Sequence, residues 1–154
     1  MHSDHEARIA SYSAQLNELL AAPSIKYSDW PPPDVVHLRN IAGVYHFYKV
    51  RESHIDSVYV GKGGFGKGEE WSLHARLKQH FQPSQKHTLL GKASRATEVP
   101  PEKLMAQFRA GDLRLQWLAL GTRSDRENIQ LERELLWFEC FAIAVLRPMF
   151  TDEG

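Results

Sequence analysis

Residues 43–64 constrain the fold more than any other stretch of the chain. Positions 43–50 and 57–61 are rich in Val, Tyr and Phe, and the residues between them are polar, which predicts two antiparallel strands joined by a turn. Tyr45 and Tyr59 occupy matching places in the two strands, each beside small residues. A glycine-rich run follows the second strand: Gly61, Lys62, Gly63, Gly64, Phe65, Gly66, Lys67 and Gly68. Gly61, Gly66 and Lys67 fit three places of a phosphate-binding loop, but Gly68 stands where that loop needs a Ser or Thr hydroxyl for Mg²⁺. The run therefore reads as a flexible loop.

A hairpin alone is not stable in water and needs further layers. Residues 113–117 alternate apolar and polar side chains, as a third strand with one wet face would. Helical spacing marks several partners for the sheet. Residues 4–21 form an amphipathic helix with Ile9, Tyr12, Leu16, Leu19 and Leu20 on one side and a Ser3/Glu6 capping box at its start. Residues 23–42, with three consecutive prolines, read as an extended connector without chemistry. Further helices are expected over residues 71–81 and 101–110, and from about 129 to 146 after a Ser124/Glu127 capping box. Residues 82–100 are polar and basic and read as a long surface excursion. The expected class is α/β, in its α+β form: a small three-stranded antiparallel sheet flanked by helices, with an added N-terminal helix. Residues 1–40 form the added helix and connector, and residues 41–154 the main domain.

At 154 residues and 42% hydrophobic content the chain suffices for one core. No secretory pattern opens it and no apolar run has the length of a membrane span, so a cytoplasmic protein without membrane attachment is expected. Its one cysteine, Cys140, excludes an internal disulfide and lies in an apolar helical segment, where a core position is expected. The net charge is zero, yet residues 62–95 hold seven Lys and Arg against two Glu. A basic centre in an acidic frame suits an anionic ligand, and ordinary surface scatter gives the same count.

Two further features carry chemistry. Arg76 and His80 lie four residues apart, about 40° around a helix axis, and would share a face. That pair suits a phosphate clamp or a solvated helix face. Glu139 sits on an apolar helical seam with Ile129, Glu132, Leu136, Ile143 and Leu146. A buried carboxylate needs a cation or donors, so metal binding, an ion pair or an escape to water all remain open. No two of the eight histidines are four apart, and no helical zinc pair is present.

Over residues 41–151 these elements resemble the GIY-YIG nuclease family, and most closely its restriction-endonuclease-like branch. Gly43-Val44-Tyr45 and Tyr59-Val60-Gly61 match the two namesake motifs with Val for Ile. Arg76, fifteen residues after Gly61, matches the family's helix-borne Arg, its late position implying an insertion between residues 63 and 72. His80 matches the histidine of the restriction branch. Glu139, nine residues before Pro148, matches the metal-binding Glu, and Glu134 is a second candidate if the alignment slips. Thr151 stands where the family has Asn.

The resemblance implies a metal-dependent endonuclease that hydrolyses DNA phosphodiesters to 5′-phosphate and 3′-hydroxyl ends. Glu139 would hold one Mg²⁺ or Mn²⁺. Tyr45 would orient or deprotonate the attacking water, Tyr59 and Arg76 would contact the phosphate, and His80 would assist proton transfer or positioning. Lys62, Lys67, Lys78, Lys86, Lys92 and Arg95 would contact the DNA backbone. Cutting both strands calls for a homodimer or for sequential nicking. A catalytically impaired nucleic-acid-binding module of the same fold is the alternative.

Overall fold

The computed structural model describes residues 3–65, 72–125 and 127–151. Helix α1, Asp4–Ala21, starts at Ser3, whose Oγ accepts the Glu6 amide at 3.2 Å. It buries Leu16 and Leu19, while Ile9 stays exposed. The connector contributes a two-residue strand, β1 (Ile25–Lys26), a 3₁₀ turn at Tyr27–Asp29 and a short helix, α2 (Val35–Leu38). Strands β2 (Ile41–Arg51) and β3 (His54–Gly63) form the expected hairpin. Helices α3 (Leu73–Gln79), α4 (Leu89–Thr97) and α5 (Pro101–Ala110) precede β4 (Arg114–Thr122), and α6 (Ile129–Leu146) closes the order.

The molecule is α+β, with one antiparallel sheet of four strands among the described residues, ordered β1-β4-β2-β3. The expectation of three strands missed β1. Ile25 and Lys26 pair with Leu115 and Arg114, and two residues are too few to show alternation. The hairpin turn is also tighter than its polar stretch suggested. Arg51 pairs with His54, and only Glu52 and Ser53 lie between, at φ 47° and 72°. Two left-handed residues make a turn whose twist matches that of the strands, so both strands extend into the polar stretch.

Each face of the sheet carries a core. One joins Tyr45, Phe47 and Tyr59 to Tyr27, Leu38, Leu73, Leu77 and Leu89, which come from the connector, α2, α3 and α4. The other joins Ala42, Val44 and Val60 to Leu16 and Leu19 of α1 and to Leu135, Phe138 and Ala142 of α6. The buried seam of α6 is thus turned from the expected one: Leu136 and Ile129 are exposed and Phe138 is buried. Cys140 is also exposed, against its expected core position. The N-cap of α6 is Asn128, which accepts the Leu131 amide at 3.1 Å, and Ser124 lies in a 3₁₀ turn instead.

Residues 82–100 are exposed at both ends, as expected of a surface excursion, but residues 88–93 are buried and open a helix within it. Thr88 caps α4 by accepting the Gly91 amide; Leu90 and Ala93 are buried against Leu104 of α5, Leu89 joins the core under the tyrosines, and Lys92 is almost wholly buried beside them. Their Lys and Arg content hid a short apolar face. Beyond α6, the amides of Met149 and Phe150 donate to the Ser57 and Val58 carbonyls, so the chain end pairs along the outer edge of β3. Among the described residues, no helix is long and apolar enough to cross a membrane.

Candidate functional site

Tyr45 and Tyr59 share a sheet face because Tyr45 pairs directly with Gly61, two residues along β3 from Tyr59. Their rings lie 6.2 Å apart, and both are fully buried. Gly61 is required by this arrangement. A Cβ at position 61 would sit 2.5 Å from Tyr45 Cζ and 2.9 Å from Cε2, well inside van der Waals contact. The tyrosine ring occupies the space a side chain would take.

Ser72 starts α3 by accepting the Ala75 amide at 2.9 Å, and the helix points Arg76 and His80 at the tyrosine pair. The onset expected at Trp71 lies outside the described residues, as do Gly66, Lys67 and Gly68. Arg76 donates from Nη1 to Gln79 Oε1 and from Nη2 to the His87 carbonyl, each at 2.7 Å. Burial lowers its pKa, but charge coupling and hydrogen bonds with Tyr45 and Tyr59 outweigh that and raise it above its ordinary value. The guanidinium is a fixed positive charge against both phenols.

His80 ends α3 and is fully buried. Its Nε2 lies 2.6 Å from Tyr45 Oη, and its Nδ1 accepts the Leu89 amide at 2.9 Å. The ring centroids of Tyr45, Phe47 and Tyr59 stand 5.1–5.2 Å from the imidazole. Behind it, Tyr27 donates its hydroxyl to the His80 carbonyl at 2.7 Å and stacks on Phe81, which in turn stacks on Trp30. Burial raises the Tyr27 pKa, keeping the phenol protonated as a donor. Tyr27 belongs to the connector, expected to carry no chemistry; its place before a run of prolines offered no periodic signal.

Glu139 lies on α6 between Phe138 and Ala142, yet it opens onto the tyrosines. A cleft of about 390 Å³ is lined by Tyr45, Tyr59, Gly61, Lys62, Arg76 and Glu139, among others. Four of the five residues expected to act together, from β2, β3, α3 and α6, meet in this cleft, and the fifth, His80, lies behind Tyr45 and bonds to it. Glu134 is exposed and lines a different groove, between α1 and α6, so Glu139 is the carboxylate at the tyrosine pair.

The basic residues are scattered. Lys62 is half-buried in the cleft wall, while Lys78, Lys86 and Arg95 are exposed. Lys92 is not on the outer surface: it is 8% exposed, its Nζ lies 5.7 Å from the Tyr59 ring centroid, and it donates to the Thr151 carbonyl at 3.4 Å.

Among the described residues, no group of three or more His, Cys, Asp or Glu side chains gathers in one place. The donor set at the cleft is one buried carboxylate beside phenolic oxygens. That suits Mg²⁺, which commonly keeps several waters and takes one or two carboxylates plus substrate phosphate oxygens.

Comparison of the chain with protein-family models, with curated proteins and with solved structures found no match.

Proposed function

We propose that the protein is a metal-dependent endonuclease of the GIY-YIG type, hydrolysing DNA phosphodiesters to 5′-phosphate and 3′-hydroxyl ends. One observation carries the reading: Tyr45, Tyr59, Arg76, His80 and Glu139, dispersed over the sequence, form one connected site around a single cleft.

Phosphodiester hydrolysis needs a positioned water, stabilisation of the charge that develops on phosphorus-bound oxygens, and a cation. Arg76 supplies a permanent positive charge fixed by Gln79 and the His87 carbonyl. Tyr59 lines the cleft beside it and is placed to contact a phosphate oxygen. Tyr45, held by His80, orients the attacking water or takes its proton. Glu139 would hold one Mg²⁺ or Mn²⁺. The ion held there would supply Lewis-acid polarisation of a phosphoryl oxygen. Lys62, Lys78, Lys86 and Arg95 would contact the DNA backbone, whose affinity for them falls with salt. A homodimer, or successive nicks by one site, would cut both strands.

The test is incubation of plasmid and labelled duplex DNA with the protein and Mg²⁺ or Mn²⁺, alongside Glu139→Gln and Tyr45→Phe. Nicking by the native chain that both substitutions abolish is expected. Binding without cleavage in either metal would refute turnover and support a non-catalytic DNA-binding module.

A further inference from the structure

The hydrogen bond between α4 and His80 determines more than the ring's position. A backbone amide only donates, so His80 Nδ1, which receives the Leu89 N–H at 2.9 Å, must present its lone pair. A neutral imidazole then carries its proton on Nε2, the atom 2.6 Å from Tyr45 Oη. Protonating the second nitrogen would set one N–H against another in a place no water reaches, because the ring is fully buried among Tyr45, Phe47 and Tyr59. The residue cannot turn away easily. Its amide donates to the Leu77 carbonyl and its own carbonyl accepts from Tyr27. The arrangement is reciprocal, since Leu89 is the first residue of α4 and its N–H has no partner within that helix.

We propose that the Leu89 amide fixes His80 as the neutral Nε2–H tautomer, so that His80 donates to Tyr45 and the Leu89 main chain acts as a positioning group for the Tyr45 oxygen. On the nuclease reading, His80 does not receive the Tyr45 proton. It holds the oxygen as an acceptor and stabilises its ionised form, with Arg76 hydrogen-bonded to the same phenol. In the water-activating step the proton of the water then passes to the Tyr45 phenolate oxygen, which becomes the phenol as the hydroxide attacks phosphorus.

The tautomer can be read directly by long-range ¹H–¹⁵N correlation on the full chain labelled at histidine, the His80 signals being those absent from His80→Gln. At neutral pH the native protein is expected to show the Nε2–H pattern alone. Two substitutions isolate the amide. Leu89→Ala removes the side chain and keeps the N–H, whereas Leu89→Pro removes both at a first helical position, where proline is tolerated, after a Thr88 that is already extended. Leu89→Ala should retain the single pattern and Leu89→Pro should lose it. An Nδ1–H tautomer or an imidazolium in the native chain overturns the proposal, as does a Leu89→Pro spectrum equal to that of Leu89→Ala. Should Leu89→Pro fail to fold, the native and Leu89→Ala spectra decide. None of these readings requires cleavage, so a chain that shows the expected tautomer but cuts no DNA would sink the nuclease reading alone.

Discussion

Gly61→Ala isolates the packing on which the site depends. The new methyl would lie 2.5 Å from Tyr45 Cζ, and carbon atoms rest at about 3.5–4.0 Å, so the ring must retreat by about 1 Å. It is held by Phe47, Tyr59 and His80 and bonded to His80 Nε2 at 2.6 Å, and a retreat of that size removes the bond. Overpacking of this kind costs about 1–3 kcal/mol and the lost hydrogen bond about 1 kcal/mol more, while replacing glycine in an ordinary strand conformation returns about 0.4–1 kcal/mol. A net destabilisation of about 1–3 kcal/mol is expected by urea unfolding. On the nuclease proposal, cleavage should fall about 100-fold, the usual consequence of a 1 Å misplacement at a reacting centre. The same substitution in a Tyr45→Ala background has room for the methyl and should be neutral or stabilising, giving a coupling of at least about 1 kcal/mol in the double-mutant cycle. An equal cost in both backgrounds would refute the claim that the tyrosine ring fills the space over residue 61.

Four further outcomes are expected. His46 is buried between Gln116 and Ser57, and burial, only partly offset by the Gln116 hydrogen bond, lowers its pKa to about 4. Because the unfolded histidine titrates near 6.5, the unfolded chain takes up the proton first; stability should hold above about pH 6.5, fall by about 3 kcal/mol towards pH 4 and then level. Urea midpoints across that range should show a shallower slope in His46→Leu; equal slopes would count against the assignment. Tyr27→Phe removes the donor to the His80 carbonyl and should lower stability by about 1–2 kcal/mol, or Tm by about 2–8 °C in calorimetry. Glu139→Gln should reduce cleavage at least about 100-fold, if that carboxylate holds the ion, with the far-UV spectrum and fold retained. Glu52→Asn with Ser53→Gly relieves two left-handed positions in the hairpin turn and should raise stability by about 1 kcal/mol in the same urea assay.

What the sequence disclosed follows the contrast of its patterns. The hairpin was legible because β-branched and aromatic residues end abruptly at polar ones, and α1 and α5 because cap and stop residues frame them. The face of α6 was misread because nearly every turn of Ile129–Leu146 is apolar, and a 3.6-residue period has no contrast when most positions are hydrophobic. Glu139 was still identifiable, since a carboxylate among those residues stands out. α4 was missed because Lys92 is buried where a lysine is ordinarily exposed, so its charge argued for surface. Tyr27 and the Leu89 amide had no sequence signal. Their contribution depends on tertiary proximity to His80, and one of them is main chain, which side-chain identity does not encode.

The strand order also sets a sequence of events in time. The β2–β3 hairpin closes across two residues and can form on the microsecond scale as soon as both strands exist. β1 cannot pair until β4 has been made far along the chain, and Glu139 arrives only with α6, whose trailing residues then seal the edge of β3. A growing chain therefore presents its tyrosines early, with one sheet face bare of α6 and an outer edge open to strangers. Folding should be limited by the docking of β1 and α6, and any stalled intermediate would be prone to associate through that edge before it could hold the carboxylate in the cleft.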